Sequence, residues 1–332
     1  RAQRRRLLRA FSARGAAGDR RAIEAIVRRH VERWPRGRPF TTLPATRALA
    51  FEVVVRHAIG LRDVELEDLE RRLQRLLKGQ ARLALWGPTL SRARWGHDPQ
   101  AALERRLAAL DAILSAGMRG EPRTTGVLAA LAGGGDERPV PHREAVHVVR
   151  ALALVGHETT GTAASWLLHL LAHHPVAAER ARDAAASGDD ASVRSWVEEA
   201  LRVRPPVIDA IRELAEDTNV GGYLVPGGTI VMAAPLLVHT RADTHPQPYA
   251  FRPERFVDRR PDPAAWIPFG GGVRRCLGAT LAQETLQALV RVVLERYRPR
   301  PRHARPERAR LSGTTLIPRR GGQIVLQDRV AA

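Results

Sequence analysis

One long helix, predicted from His142 to about His173, constrains the fold more than any other part of the chain. The segment follows a glycine-rich loop and carries apolar side chains all round, among them Leu152, Trp166 and Leu171. A helix that is apolar on every face is not stable on a protein surface and has to be covered by other elements. We therefore predict a central, buried helix with the rest of the chain packed around it.

The segments before and after this helix differ in character. The first half is a succession of amphipathic helices, one of which carries Leu69, Leu73 and Leu76 on one face after a capping Asp63. Strand-like runs separated by glycine and proline come later, near 207–214, 223–225 and 229–233, followed by a long helix near 277–297 and a hairpin of 314–317 with 323–326. We predict a mainly α fold with small β-sheets (α+β), forming a single domain over 1–332.

The charge and cysteine content narrow the class of protein. The formal net charge of +19 is nearly all arginine, since Lys78 is the only lysine. A basic nucleic-acid binder is therefore one alternative. However, an arginine-rich, lysine-poor composition also follows from GC-rich coding, and aromatic residues are only 5%, which leaves few rings to stack on bases. We predict no nucleic-acid partner. The single cysteine excludes an internal disulfide framework, and no apolar run is long enough to span a membrane, so we expect a cytoplasmic protein. We also expect a monomer.

That cysteine, Cys276, follows a glycine-rich turn and precedes the last long helix. Most lone cysteines are small buried hydrophobes, but a thiolate at a helix N-terminus is suited to hold a metal or attack a substrate. Three glycines at 270–272, together with Gly278, indicate close approach of the backbone to something flat or bulky. Arg274 supplies a cation suited to a carboxylate. These features favour a haem iron with an axial thiolate and propionates paired with arginine.

The spacing of Phe269, Gly272, Arg274, Cys276 and Gly278 resembles the haem-binding loop of the cytochrome P450 family. The resemblance implies the cytochrome P450 fold, with the long central helix over the haem. It implies haem b (iron protoporphyrin IX) as the cofactor and Cys276 as the axial ligand of its iron. Because the chain starts within a basic helix, we also expect the family's N-terminal part to be lacking.

The central helix contains an unusual stretch from Val155 to Gly161. Glycine and β-branched residues weaken a helix interior, and Thr159 is able to donate to the carbonyl four residues earlier. His157 begins a zinc-peptidase pattern, but Gly161 stands where the second histidine belongs. A distorted buried helix without a chemical role is the other alternative. In the cytochrome P450 family the matching stretch lies over the haem, which implies that Glu158 and Thr159 deliver protons during dioxygen activation.

A buried charge cluster is predicted from two separate segments. Glu199 and Arg202 lie on one helix face, which by itself is typical of a weak surface ion pair. The segment 249–256 favours a structural role instead, because cytochromes P450 carry a segment of this kind together with a glutamate–arginine pair on a helix. The resemblance then implies that Glu199, Arg202 and Arg255 form the structural charge triad that holds the haem loop in place.

Two further arginines are candidates for the haem propionates. Arg212 follows Pro206 on a strand-like run, where a buried charge needs a partner, and the family often places an arginine here. Arg4 resembles the family's arginine on an early helix, although a solvated helix face is an equal alternative. By resemblance, the substrate contacts are Ala151, Leu154, Val207, Asp209 and Leu316. Most of these are apolar, which favours a hydrophobic substrate.

The resemblance implies a monooxygenase that inserts one oxygen atom of O2 into a hydrophobic small molecule. Since no flavin or nicotinamide motif is present, we expect electrons to come from a ferredoxin or flavodoxin with its reductase, and indirectly from NAD(P)H. The alternative within the haem proteins is a haem-binding sensor or an inactive fragment without turnover.

Overall fold

The computed structural model of the protein describes residues 2–12, 15, 19–61, 64–76, 99–119, 125–133, 138–257 and 259–329. Eleven α-helices lie within these ranges. They are α1 (Ala2–Ala10), α2 (Arg20–Glu32), α3 (Thr42–Glu52), α4 (66–76), α5 (Pro99–Met118), α6 (Gly126–Ala132), α7 (His142–His173), α8 (Pro175–Ser187), α9 (Asp190–Val203), α10 (Pro235–His239) and α11 (Ala279–Arg296). Helix α3 continues directly into a wider π-helical stretch, Val53–Ile59.

Nine strands in the described ranges form four small antiparallel sheets. They are β1 (Pro39–Thr41), β2 (Ala210–Glu213), β3 (Thr218–Val220), β4 (Tyr223–Val225), β5 (Ile230–Ala233), β6 (Tyr297–Pro301), β7 (Ala309–Ser312), β8 (Thr315–Pro318) and β9 (Gln323–Asp328). One sheet has the order β1-β9-β6, and the others pair β2 with β5, β3 with β4 and β7 with β8. This mainly α architecture with small sheets is the predicted fold class.

Residue contacts divide the chain into two compact units. The first comprises Arg1–Trp34, Pro44–Gly161 and Leu277–Val292, and the second comprises Pro35–Leu43, Thr162–Cys276 and Val293–Ala332. Helices α7 and α11 each contribute to both units. The single-domain organisation stays a prediction, and each unit is described by itself below.

In the first unit, apolar periodicity decides which helix faces are buried. On α2, Ile23, Val27 and Val31 recur at four-residue spacing and are at most 1% exposed. The helix begins after Asp19, whose carboxylate accepts the N–H of Ala22 at 3.1 Å. On α4 the three leucines named above are equally buried, as predicted, while the capping Asp63 predicted for this helix lies outside the described residues.

Helix α7 has the predicted bounds but not the predicted burial along its whole length. Residues 161–172 are all buried, as expected for an apolar helix inside a protein. Nearer the N-terminus the helix has an open face, on which Val155 is 65% exposed. The prediction of all-round burial is therefore wrong for this part. The physical reason is its polar content, since Arg143 and His147 are exposed there and Arg150 pairs with Asp111 at 2.6 Å.

The predicted C-terminal hairpin is also wrong, because β8 and β9 do not pair with each other. The carboxylate of Glu307 accepts the backbone N–H groups of Arg320 and Gln323 at 2.7 and 2.8 Å. Gly321 and Gly322 have φ angles of 79° and 72°, which favour glycine. This turn directs the two strands into different sheets. Among the helices in the described ranges, none is both long and apolar enough to cross a membrane.

Candidate functional site

The loop before α11 presents the cysteine thiol at the surface of the second unit. Gly272–Arg274 forms one 3₁₀ turn, closed by the Arg275 N–H, which donates to the Gly272 carbonyl at 3.1 Å. The Cys276 N–H donates to the carbonyl of Phe269 at 2.9 Å, so the backbone folds back on itself ahead of the thiol. The Cys276 side chain is exposed. Cys276 is therefore not a buried core side chain, which was the alternative considered from the sequence.

The glycines of this loop serve its backbone conformation. Gly270 and Gly272 have φ angles of 66° and 60°, in the left-handed region that other residues rarely adopt. A Cβ added at either position would meet no atom within 4 Å, and the same holds for Gly271 and Gly278. The loop consequently offers a smooth backbone surface beside the thiol. A thiolate donor with an open, glycine-lined approach fits a haem iron.

The arginines predicted to bind propionates lie at exposed or half-buried positions. Arg274 is exposed on the loop, and Arg4 is half-buried on α1. The expectation that Arg212 stands on a buried strand is wrong. Strand β2 belongs to a two-stranded sheet, Ile211 beside it is 58% exposed, and Arg212 itself is exposed, with its Nη1 donating to the Ile211 carbonyl at 2.6 Å. Its positive charge thus stands at the surface of the second unit.

Glu199 and Arg202 form a fully buried pair on α9, with Arg255 against it. Arg202 donates from Nε to Glu199 Oε2 at 2.7 Å and from Nη2 to Oε1 at 2.8 Å. Arg255 Nε donates to Glu199 Oε1 at 3.3 Å. Both members of the pair are 0% exposed, so this is not the weak surface ion pair that helical spacing alone suggests.

The remaining donors of Arg202 bind the last residue of α10 and the irregular segment that follows it. Its Nη1 donates to the carbonyls of His239 and Pro248 at 2.8 and 2.7 Å, and its Nη2 donates to that of Ala250 at 3.1 Å. His239 in turn accepts the Ile267 N–H on Nε2 at 2.9 Å. Burial lowers the pKa of His239 to about 4, so the ring stays neutral and able to accept. This histidine, which nothing in the sequence distinguishes, extends the charge cluster toward the cysteine loop.

On α7, within the first unit, the threonine and the acid have separate partners. The Thr159 hydroxyl donates to the Val155 carbonyl at 3.3 Å, which confirms the predicted bond, and the helix continues without a break. Glu158 Oε2 lies 2.5 Å from Nη2 of Arg47 on α3. The sequence contains no spacing that links Arg47 to α7, so this contact was not predicted.

The zinc-peptidase alternative does not fit this region. The His157 ring is 0% exposed, stacks edge-on against Phe51 with centroids 5.1 Å apart, and donates from Nδ1 to the Ala153 carbonyl at 2.8 Å. Burial lowers its pKa, which keeps it neutral. A Cβ at Gly161 would lie 2.7 Å from the Cα of Arg47, so no larger side chain fits there.

The predicted substrate contacts fall into one set per unit. In the second unit, the Leu316 N–H donates to the Pro206 carbonyl at 2.7 Å, and Val207 forms a bridge with Thr315, which brings Val207 and Leu316 together. Asp209 is half-buried nearby in sequence. In the first unit, Ala151 and Leu154 lie on α7, within two turns before Glu158 and Thr159. Ala151 is exposed and Leu154 is half-buried.

Comparison with solved structures gives the class of fold. The retinoic-acid-bound cyanobacterial CYP120A1 matches with a TM-score of 0.81 and 24% identity, over 98% of this chain and 78% of that one. A cytochrome P450, CYP102L1, matches with a TM-score of 0.84 and 22% identity, over 98% and 81%. The architecture described above is therefore the cytochrome P450 fold, which confirms the predicted fold.

Sequence comparison gives the family. The family model described as Cytochrome P450 matches residues 121–325. A Mycobacterium tuberculosis protein provisionally named cytochrome P450 135B1 is 37% identical over 320 residues, covering 91% of this chain and 67% of the relative. Another from that organism, provisionally named cytochrome P450 137, is 34% identical over 328 residues, covering 93% and 67%. The chain belongs to the cytochrome P450 family. Membership confirms the resemblance and makes the chain one of the haem-dependent monooxygenases in general terms.

Proposed function

We propose that this chain inserts one oxygen atom of O2 into a hydrophobic small molecule, with electrons from a separate ferredoxin or flavodoxin system and ultimately from NAD(P)H. The observation that carries the proposal is the exposed Cys276 thiol on a loop whose glycines leave its approach open. A soft thiolate is the donor that haem monooxygenases use, and haem b is the cofactor we assign.

The residues that would hold haem are the ones predicted from the sequence. Cys276 would bind the iron, with Phe269, Gly272 and Gly278 shaping the loop, and the exposed Arg274 and Arg212 with the half-buried Arg4 would pair with the propionates. When bound, the haem supplies the dioxygen chemistry, and its thiolate ligand favours O–O cleavage. Glu199, Arg202 and Arg255 would have a supporting role, since their hydrogen bonds hold segments that precede the loop.

The chain's own proton chemistry would come from α7. The Thr159 hydroxyl donates a hydrogen bond to the Val155 carbonyl, which leaves the lone pairs of the hydroxyl oxygen available to accept a hydrogen bond. Glu158, one residue earlier and 23% exposed at its side chain, is placed to exchange protons with water. We propose that the acid takes up protons from water and that the threonine passes them on.

Substrate selection would rest on apolar surface. Val155 on α7 is 65% exposed, and Met232 on β5 is 59% exposed. Each unit therefore presents apolar side chains, which are stabilised when a hydrophobic ligand covers them and removes their surface from water. Ala151, Leu154, Val207 and Leu316 would contact the substrate in the same way. Asp209 would pair with an amine or hydroxyl of the substrate.

The first test is spectroscopic. Haem-reconstituted protein, reduced under carbon monoxide, should give a Soret band at the position of thiolate-ligated haem. Cys276→Ser should lose that band while its far-ultraviolet circular dichroism stays unchanged, because the loop side chain is exposed. Failure to take up haem, or a band unchanged in Cys276→Ser, would overturn the ligand assignment.

The second test separates a monooxygenase from a haem-binding sensor. A surrogate ferredoxin and its reductase, with NADPH and a panel of hydrophobic compounds, should give oxygen-dependent products in which one atom derives from ¹⁸O₂. Haem binding without product from any compound would favour the sensor.

A further inference from the structure

We propose that Arg47 is a positioning residue for Glu158, holding the carboxylate of that acid at a fixed place on α7. The inference rests on the proposed role of Glu158 in proton delivery, and it adds a residue on α3 to that role.

The contact is close and largely removed from water. Arg47 Nη2 lies 2.5 Å from Glu158 Oε2, and the two side chains are 20% and 23% exposed. Exposed ion pairs contribute little because water screens the charges and the side chains lose freedom. A pair this short and this sheltered is a close ion pair, and its attraction restricts where the carboxylate lies.

The backbone fixes the position from which Arg47 reaches the acid. Thr46 Oγ1 donates to the Gly161 carbonyl at 2.8 Å in a buried hydrogen bond. A Cβ at Gly161 would lie 2.7 Å from the Cα of Arg47, so α3 and α7 approach each other here too closely for a side chain larger than that of glycine. Glu158 stands about one helical turn before Gly161, and the Arg47 side chain extends along α7 to reach it. Both ends of the ion pair are therefore anchored.

A second carboxylate, that of Glu70, also interacts with the positive charge of Arg47. Glu70 on α4 is hydrogen-bonded by Gln74 at 3.1 Å and lies within electrostatic reach of both Arg47 and Glu158. Burial raises the pKa of Glu70. In addition, Nε of Arg47 is buried without a hydrogen-bond partner among the described residues. Without the guanidinium, Glu70 and Glu158 would keep their mutual repulsion and lose the cation that acts on both, so Glu158 would be less restrained.

The first experiment measures the ion pair without reference to activity. Thermal midpoints are compared for Arg47→Met, Glu158→Gln and the double variant of the full chain. Arg47→Met alone should lower the midpoint by about 2 to 4 °C, because it leaves a sheltered carboxylate unpaired. In the Glu158→Gln background the same change should cost less than half as much. Arg56→Met is the matched control, since its side chain is 41% exposed and lies 4.0 Å from Glu52, and it should be additive with Glu158→Gln. If the midpoint shifts of Arg47→Met and Glu158→Gln simply add in the double variant, the inference is overturned.

The second experiment measures hydrogen peroxide released per NADPH oxidised in the reconstituted enzyme. Arg47→Met should raise this ratio several-fold, in the same direction as Glu158→Gln. Arg47→Lys should restore most of the coupling, and Arg56→Met should leave it unchanged. If Glu158→Gln raises peroxide release and Arg47→Met does not, the positioning role is wrong while the role of Glu158 stands. If neither variant changes it, the proposed function of Glu158 is itself wrong, and the positioning role is lost with it.

Discussion

A Cβ placed on Gly161 would lie 2.7 Å from the Cα and 3.0 Å from the backbone nitrogen of Arg47. Backbone atoms cannot rotate away, so Gly161→Ala has to push α3 off α7. We expect a loss of about 1 to 3 kcal/mol in the free energy of unfolding, measured by chemical denaturation. The effect should appear as a lower denaturant midpoint with an unchanged slope.

Gly156 on the same helix provides the matched control. A Cβ there would meet the methyl carbons of Val54 at 3.1 and 3.2 Å, and those belong to a side chain that is able to adjust. Alanine also gains roughly 1 kcal/mol of helix propensity over glycine. Gly156→Ala should therefore stay close to wild type in stability. Equal losses in the two variants would show that backbone contact at Gly161 is not the deciding factor.

Replacing the buried guanidinium on α9 should have the largest effect on stability. Arg202→Ala removes both charged hydrogen bonds of Arg202 to the buried Glu199 carboxylate, leaving it the Arg252 N–H and the longer contact with Arg255, and it orphans three backbone carbonyls. We expect a cost of roughly 3 to 5 kcal/mol or more, seen as a fall in the thermal midpoint or as loss of folded protein. Arg180→Ala is the control, because that side chain is 71% exposed and should change stability little. A small loss of stability in Arg202→Ala would contradict the supporting role assigned to this side chain.

Thr159→Ala should separate oxygen consumption from product formation. Positioned general acids and bases contribute roughly 10²- to 10⁴-fold, and a water molecule replaces part of a lost hydroxyl, so a several-fold fall in product per NADPH is expected. Thr160→Ala is the neighbouring control and should leave coupling near wild type. Unchanged coupling in Thr159→Ala would remove this residue from the proposed proton path.

The free energy of unfolding should fall as the pH drops below about 6.5. Burial lowers the pKa of His169 to about 3, while the unfolded chain takes up the proton near the ordinary value of 6.5. The unfolded state therefore binds more protons across this window, and the stability supplied by the neutral ring is lost progressively toward acid, by about 1.4 kcal/mol per pH unit. Denaturation curves at pH 7.5, 6 and 5 measure the slope.

His169→Gln isolates this contribution, since a glutamine oxygen is able to accept the Glu307 N–H that His169 Nε2 accepts at 3.1 Å. The slope between pH 6 and 5 should become shallower in this variant. Glu198 acts in the opposite sense, because burial raises its pKa to about 7 and the folded state binds the extra proton. It is present in both proteins and cancels in the comparison. An identical slope would show that His169 does not titrate as its burial indicates.

Local patterns in the sequence predict helices and their buried faces well. The bounds of α7 and the buried face of α4 follow from apolar spacing and from the breakers that flank them. The Thr159 bond to the Val155 carbonyl was equally predictable, since donor and acceptor are four residues apart in one helix.

Pairings between distant segments were harder to predict. The partners of β8 and β9 depend on Glu307, whose carboxylate organises a turn more than a dozen residues away. Arg47 meets Glu158 only because Gly161 lets two backbones touch. The exposure of Arg212 depends on how many strands its sheet contains, which residue type alone does not specify.

The hydrogen bonds of Arg202 also have a consequence for how the protein opens. The three carbonyls it binds are that of His239, the last residue of α10, and those of Pro248 and Ala250, which lie in a stretch without helix or strand. Such a stretch would ordinarily fluctuate on its own, exchanging its amide protons quickly. Here the buried guanidinium of Arg202 connects it to α9 by hydrogen bonds. The amide of Arg252, bonded to Glu199 at 2.8 Å, should therefore exchange with deuterium as slowly as those of α9, so that an irregular segment and a helix unfold as one cooperative unit.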